Sequence, residues 1–153
     1  MGKLYFKYGA MGSSKTAQAL MCKFNYEQKG FCVSLFKPVA DNRTVVDGKA
    51  VVSSRIGLTS NCIEFDKNFD FTAFAKDNCL NTGKEVIIVD ECQFLTTKQV
   101  NQLKLLSINM PVLCYGLLTN YKTKLFEGSK RLVEIADSLM EIKSVCKCGR
   151  KAN

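Results

Sequence analysis

Histidine is absent from the 153 residues, so any general base in this protein must be a carboxylate, a lysine, a thiolate or a tyrosine. Long apolar runs are absent too. The longest strictly aliphatic stretch is Val86 to Val89, far short of a membrane span, which predicts a soluble protein without a membrane partner. The first residues, MGKLYFKYG, lack the apolar segment and small-residue cleavage site of an export signal. Phe6 also stands where a myristoylation motif needs serine or threonine, so a cytoplasmic location is expected. No internal repeat or low-complexity segment interrupts the chain. With 46% hydrophobic and 24% charged residues, its composition is that of an ordinary folded protein, and its length suits one domain.

Cysteine and positive charge, by contrast, are plentiful. Cys22, Cys32, Cys62, Cys79, Cys92 and Cys114 are scattered through largely apolar contexts, as expected of buried thiols in a reducing compartment. Only Cys146 and Cys148 lie close together. The formal net charge of +8 is compatible with a nucleic-acid partner, with a polyphosphate ligand, or with solubility alone.

Strand and helix signals alternate along the chain. KLYFKY, residues 3–8, reads as a strand that stops at Gly9. Residues 15–28 follow as a helix, with Ala17, Leu20, Met21 and Phe24 forming its apolar stripe and Gly30 its stop. FCVSLFK, residues 31–37, is a second buried strand closed by Pro38. Residues 41–57 are polar and glycine-containing with little periodicity, which predicts a long functional loop. NCIEF is a short strand and FTAFAKDNC a short helix. EVIIVD, residues 85–90, is a continuous aliphatic run ending in a carboxylate, the pattern of a central parallel strand covered on both faces. Thr96 or Thr97 caps a helix carrying Val100, Leu103 and Leu106, and Pro111 precedes a strand VLCYG. The expected fold is α/β, a mainly parallel sheet flanked by helices, with its ligand site at the carboxyl ends of the strands.

Chemistry concentrates in two segments. GAMGSSKT, Gly9 to Thr16, sits between the first strand and the first helix and matches a phosphate-binding loop, G-x-x-x-x-G-K-[ST], except that Ser14 replaces the second glycine. Such a loop aims backbone N–H groups and a helix dipole at phosphates. Lys15 would add a point charge to the β- and γ-phosphates and Thr16 a hydroxyl for Mg²⁺. Serine is small enough to be accommodated, although glycine is usual because it reaches backbone angles closed to other residues. The bland reading of the segment is an ordinary tight turn. VIIVDECQF supplies the second element: Asp90, at a strand end, is the carboxylate such a site needs for Mg²⁺, and Glu91 is left to take a hydroxyl proton or orient a water. A glutamate carboxylate is ionised at neutral pH, and phosphoryl transfer asks more of positioning than of basic strength.

Together GAMGSSKT, DNR, VSSRIG, VDECQF and CYGLLTNYKTKLFEGS resemble, in order and over nearly the whole chain, the thymidine kinases of bacteria and of animal cytosol. The resemblance implies that Gly9, Ala10, Met11, Gly12, Ser13, Ser14, Lys15 and Thr16 bind ATP. It further implies that Asp90, Glu91, Cys92 and Gln93 continue that contact, and that Glu91 is the base acting on the nucleoside 5′-hydroxyl. Asp41 and Arg43 would lie near the metal and the phosphates. Met11, Phe94, Leu117 and Tyr121 would surround the pyrimidine of thymidine or deoxyuridine. Taken alone, Phe94 and Leu117 would more often be core residues than ligand contacts. The family usually has phenylalanine at Tyr121 and aspartate at Asn120.

The resemblance divides the chain into a P-loop kinase domain with a P-loop NTPase-like fold, residues 1–143, and the start of a small zinc and lasso module, residues 144–153. Cys146 and Cys148 would be two ligands of a structural Zn²⁺ whose others come later than this sequence extends, so the module is expected to be incomplete here. A closed tetrahedral site within this chain would need a distant thiol such as Cys22 or Cys114. A homotetramer and feedback by the end-product triphosphate are also implied. Two other readings remain at this point. DECQ is similar to the Walker B segment of helicase-type motors, so a nucleic-acid-stimulated ATPase is the chief rival, although the length leaves no room for a second lobe. The other is an inactive nucleotide-binding fragment.

Overall fold

The computed structural model describes residues 2–10, 14–39, 45–46, 49–54 and 57–143. In chain order the elements are β1 (Leu4–Gly9), α1 (Lys15–Gln28), β2 (Cys32–Pro38), β3 (Val45–Val46), β4 (Lys49–Ser53), β5 (Thr59–Asn61) and β6 (Ile63–Phe65). There follow α2 (Phe71–Asp77), β7 (Glu85–Asp90), a 3₁₀ turn (Cys92–Phe94), α3 (Thr97–Leu106), β8 (Val112–Gly116), α4 (Glu127–Ile135) and β9 (Ser138–Ile142). Six strands form one sheet in the order β6-β2-β7-β8-β1-β9, and every pairing in it is parallel. The chain is therefore α/β, with all carboxyl ends of this sheet on one edge. Among the described residues no helix is long and apolar enough to cross a membrane.

Strand alternation sorts the core onto two faces. Ile87 and Val89 of β7 join Leu4, Phe6, Phe36, Val112 and Cys114 beneath α2, α3 and α4. Val86 and Ile88 join Leu35, Leu113 and Tyr115 beneath α1. Every residue of β7 is buried, as its unbroken aliphatic run predicts. Phe36 is ringed edge-to-face by Phe69, Phe71 and Phe74, with centroids 5.0–5.5 Å away, which anchors α2 to the sheet. Thr96 makes a reciprocal capping box with Gln99 and so starts α3.

Several sequence expectations are corrected. Within residues 41–57 the chain forms strands: β3 pairs antiparallel with β4, and β4 with β5, in a small second sheet. The sequence signal is the dipeptide Asp47-Gly48 between Val45-Val46 and Lys49-Ala50, the residues that pair, which low overall periodicity conceals. NCIEF is divided between β5 and β6, which belong to different sheets. On α1 the buried residues are Ala17, Ala19 and Leu20, whereas Met21 is 51% and Phe24 36% exposed, because small alanines let the helix axis approach the sheet. Of the six described cysteines, only Cys92 and Cys114 are buried; Cys32 and Cys79 are exposed. Residues 144–153, with the proposed start of a second module, lie outside the described residues.

Candidate active site

The phosphate-loop segment and the paired acids meet at the carboxyl edge of the sheet. The Thr16 hydroxyl, on the first turn of α1, donates to Asp90 Oδ2 at 3.1 Å across 74 residues of sequence. Lys15 Nζ donates to the Ala10 carbonyl at 2.7 Å, holding the lysine against the end of β1. Ser14 precedes α1 at φ −86°, a region open to any L-residue, so its backbone does not demand glycine. Its Oγ accepts from Gln18 Nε2 at 3.1 Å. Met11, Gly12 and Ser13 lie outside the described residues, as do Asp41, Arg43, Cys146 and Cys148.

Asp90 is 5% exposed. Burial, reinforced by the adjacent Glu91 charge, pushes its carboxyl up to about 6, while the Thr16 hydroxyl, the Glu91 backbone N–H and the Lys15 charge pull the other way. Such a carboxylate is poised for a cation. Thr16 and Asp90 offer hard oxygen donors at one point, which suits Mg²⁺ completed by waters and phosphate oxygens. Among the described residues no cluster of three or more His, Cys, Asp or Glu side chains forms a metal cage.

Glu91 follows at φ 52° and ψ 47°, a left-handed conformation rarely taken by a non-glycine residue. Turning the chain there sends Asp90 inward and leaves Glu91 exposed, the two successive acids being assigned to different surroundings. The conformation is secured by Phe94 N–H donating to the Glu91 carbonyl and Leu95 N–H to that of Cys92. Backbone strain of this kind costs on the order of 1 kcal/mol and gathers at functional positions. Cys92 is fully buried against Cys114, and Gln93 is 5% exposed with its Oε1 accepting from Leu117 N–H at 3.1 Å. The Cys92 side chain and the Gln93 amide oxygen thus serve the protein interior.

Next to this turn lies an open cavity of about 510 Å³, lined by Tyr8, Gly9 and Ala10 from the end of β1, the segment from Leu117 to Tyr121 after β8, Phe126 and Glu141. Leu117 and Tyr121, expected around the base, are both in its wall. Tyr121 is at the rim, 89% exposed, with Lys122 Nζ over its ring at 5.6 Å. Phe94 stands edge-to-face on Phe126 at 5.9 Å, which ties it to the same wall. Tyr8, Phe126 and Glu141 escaped the sequence reading; Phe126 lies within the quoted CYGLLTNYKTKLFEGS, but nothing in its spacing separates it from a core residue. Asn120 organises the rim, its Oδ1 accepting from Lys122 and Lys124 N–H groups.

α4 closes the arrangement from below. A Cβ on Gly128 would sit 2.6 Å from the Leu95 carbonyl oxygen and 2.8 Å from that of Cys92, backbone atoms that cannot swing aside. Gly128→Ala is therefore expected to destabilise by about 1–3 kcal/mol through overpacking, read as a lower thermal midpoint. An unchanged midpoint would mean that α4 is not pressed onto this turn.

Comparison with known proteins shows the family. A family model described as thymidine kinase matches residues 2–153. The thymidine kinase of Aliivibrio fischeri is 41% identical over 155 positions, covering 100% of this chain and 79% of the relative. That of Yersinia pestis is 41% identical, with 100% and 78% covered, and that of Zymomonas mobilis 42%, with 99% and 78% covered. On these matches the chain belongs to the thymidine kinase family.

Proposed function

We propose that this protein transfers the γ-phosphoryl group of ATP to the 5′-hydroxyl of thymidine, yielding thymidine monophosphate and ADP. The observation that carries the reading is the Thr16–Asp90 hydrogen bond, which brings the two halves of a nucleotide site together beside a cavity sharing Gly9 and Ala10 with the phosphate loop. Backbone N–H groups at the start of α1 and the Lys15 ammonium bind the triphosphate. Thr16 and Asp90 are the donors for Mg²⁺, which when bound neutralises charge on the β- and γ-phosphates. The nucleoside base occupies the cavity against Leu117, Phe126 and Tyr121, with Phe94 stacked edge-to-face on Phe126; a role for Met11 at the base, and for Asp41 and Arg43 at the metal and phosphates, rests on the family resemblance. Glu91 accepts the 5′-hydroxyl proton as that oxygen bonds to the γ-phosphorus and the bond to the β-bridging oxygen breaks, releasing ADP. Zn²⁺ on Cys146 and Cys148, a homotetramer and a cytoplasmic location belong to the same proposal and rest on the family resemblance.

The test is ADP formation in Mg²⁺ buffer with and without thymidine. Turnover that requires the nucleoside, with label from γ-labelled ATP recovered in a 5′-monophosphate, is the expected result. Hydrolysis stimulated by single-stranded nucleic acid and indifferent to thymidine would establish the motor-type ATPase instead. ATP binding with neither thymidine binding nor turnover would leave a non-catalytic nucleotide binder.

A further inference from the structure

Leu117 is the first residue after β8, where a chain leaving a sheet usually gives its backbone groups to water. Here both are taken by buried side chains from elsewhere. Its N–H donates to Gln93 Oε1 at 3.1 Å, and its carbonyl accepts from the Ser129 hydroxyl. Gln93 is 5% exposed and Ser129 fully buried. Two glycines make room for this: a Cβ on Gly116 would lie 2.5 Å from Gln93 Oε1, and Gly128 lets the first turn of α4 approach the turn that follows Glu91. No buried side-chain nitrogen or oxygen among the described residues lacks a hydrogen-bond partner, so the clamp leaves no buried polar side-chain atom unsatisfied.

We propose that Gln93 and Ser129 are positioning residues that hold Leu117 from both sides and so set the nucleoside cavity wall at a fixed distance from Glu91. Gln93 lies two residues beyond Glu91 on the same turn, so the bond it makes links the proton acceptor to the surface on which the base rests. The inference rests on the proposed nucleoside kinase reading and adds to it a specific task for two side chains that touch neither substrate. Small displacements of a reacting group are costly, up to about 100-fold for 1 Å, and a loosened Leu117 would let the 5′-hydroxyl drift from Glu91. The clamp bears on the nucleoside and not on the triphosphate, whose partners lie on α1 and β7.

The experiment compares Gln93→Ala, Ser129→Ala and Gln93→Glu with the unaltered protein, reading thymidine and ATP affinity by calorimetry and both KM values by turnover. Either alanine variant is expected to lower kcat/KM for thymidine, by up to about 100-fold for a 1 Å displacement of the wall, through a fall in kcat, a rise in the thymidine KM or both, with ATP affinity unchanged. Gln93→Glu keeps an acceptor for the Leu117 N–H and is expected to recover much of the loss. Weakened ATP with unaltered thymidine would overturn the proposal and make Gln93 a nucleotide contact. A fall in thermal midpoint with kcat and both affinities unchanged would overturn it too, reducing the pair to a structural role. If Gln93→Ala does not fold, Ser129→Ala decides. Thymidine binding without turnover in the unaltered protein would sink the kinase reading alone, since the clamp is still judged by affinity; absence of thymidine binding would sink both.

Discussion

Glu91→Gln is expected to lower kcat by about 10²–10⁴-fold while thymidine and ATP still bind, the usual scale for loss of a positioned general base. The substitution is nearly isosteric and leaves the left-handed backbone at φ 52° as it was, so the fold and the turn through Phe94 should survive. An amide can still hydrogen-bond the 5′-hydroxyl, which preserves affinity, but it cannot take the proton. Since the chain contains no histidine, no imidazole is available as a substitute base. Loss confined to kcat marks a group that acts in the transition state, and a pre-steady-state burst of ADP would separate chemistry from product release. Unaltered turnover in this variant would remove Glu91 from the mechanism.

Asp90→Asn should move activity and stability in opposite directions. Asparagine can still accept the Thr16 hydroxyl, so the 3.1 Å contact between α1 and β7 is retained, yet it is a far poorer ligand for Mg²⁺; kcat/KM is expected to fall by about 10³-fold or more. Stability behaves otherwise. In the folded chain the Asp90 carboxyl is raised from 3.8 to about 6, so between these values the folded state holds a proton that the unfolded state has released. Its stabilising contribution is complete below the unfolded value and disappears as pH rises through about 6. In chelator at pH 7 to 8 an ionised Asp90 is buried beside Glu91 at a cost on the order of 2 kcal/mol, which asparagine avoids. Thermal melts in chelator should thus show the variant gaining on the original protein as pH increases from about 4 to 7. Mg²⁺ with ATP should reverse the order. A variant less stable than the original at every pH would show that the charge is already compensated within the protein.

Where one physical signal dominated, sequence reasoning reached the structure. The boundaries of α1 and β7, and of β8 after Pro111, follow from punctuation and from a wholly apolar strand, and they agree with the expectation. The meeting of Thr16 with Asp90 was also legible, because strand-loop-helix chemistry at one end of a parallel sheet leaves a strand-end acid only one useful place to be. What was not legible depended on partners far away in sequence. β9 was not assigned, since it becomes a strand only against β1, and α4 was missed although its amphipathic run through Leu132 and Ile135 is a local helix signal. Nothing local reveals that Met21 and Phe24 face outward while Ala17 and Ala19 face the sheet. Gln93 reads as a nucleotide contact by its place in the motif, and only the fold shows its amide oxygen accepting from Leu117. The serine at position 14, which looked like a flaw in the loop, turns out to occupy a backbone region that serine tolerates.

The most direct test of the whole account is a crystal structure with Mg²⁺, a non-hydrolysable ATP analogue and thymidine bound together. The account predicts the metal between the Thr16 hydroxyl, Asp90 and the phosphates, the base against Leu117 and Phe126, and the 5′-hydroxyl about 2.6–3.2 Å from the Glu91 carboxylate. A thymidine seated away from that cavity, or a 5′-hydroxyl facing a residue other than Glu91, would contradict it.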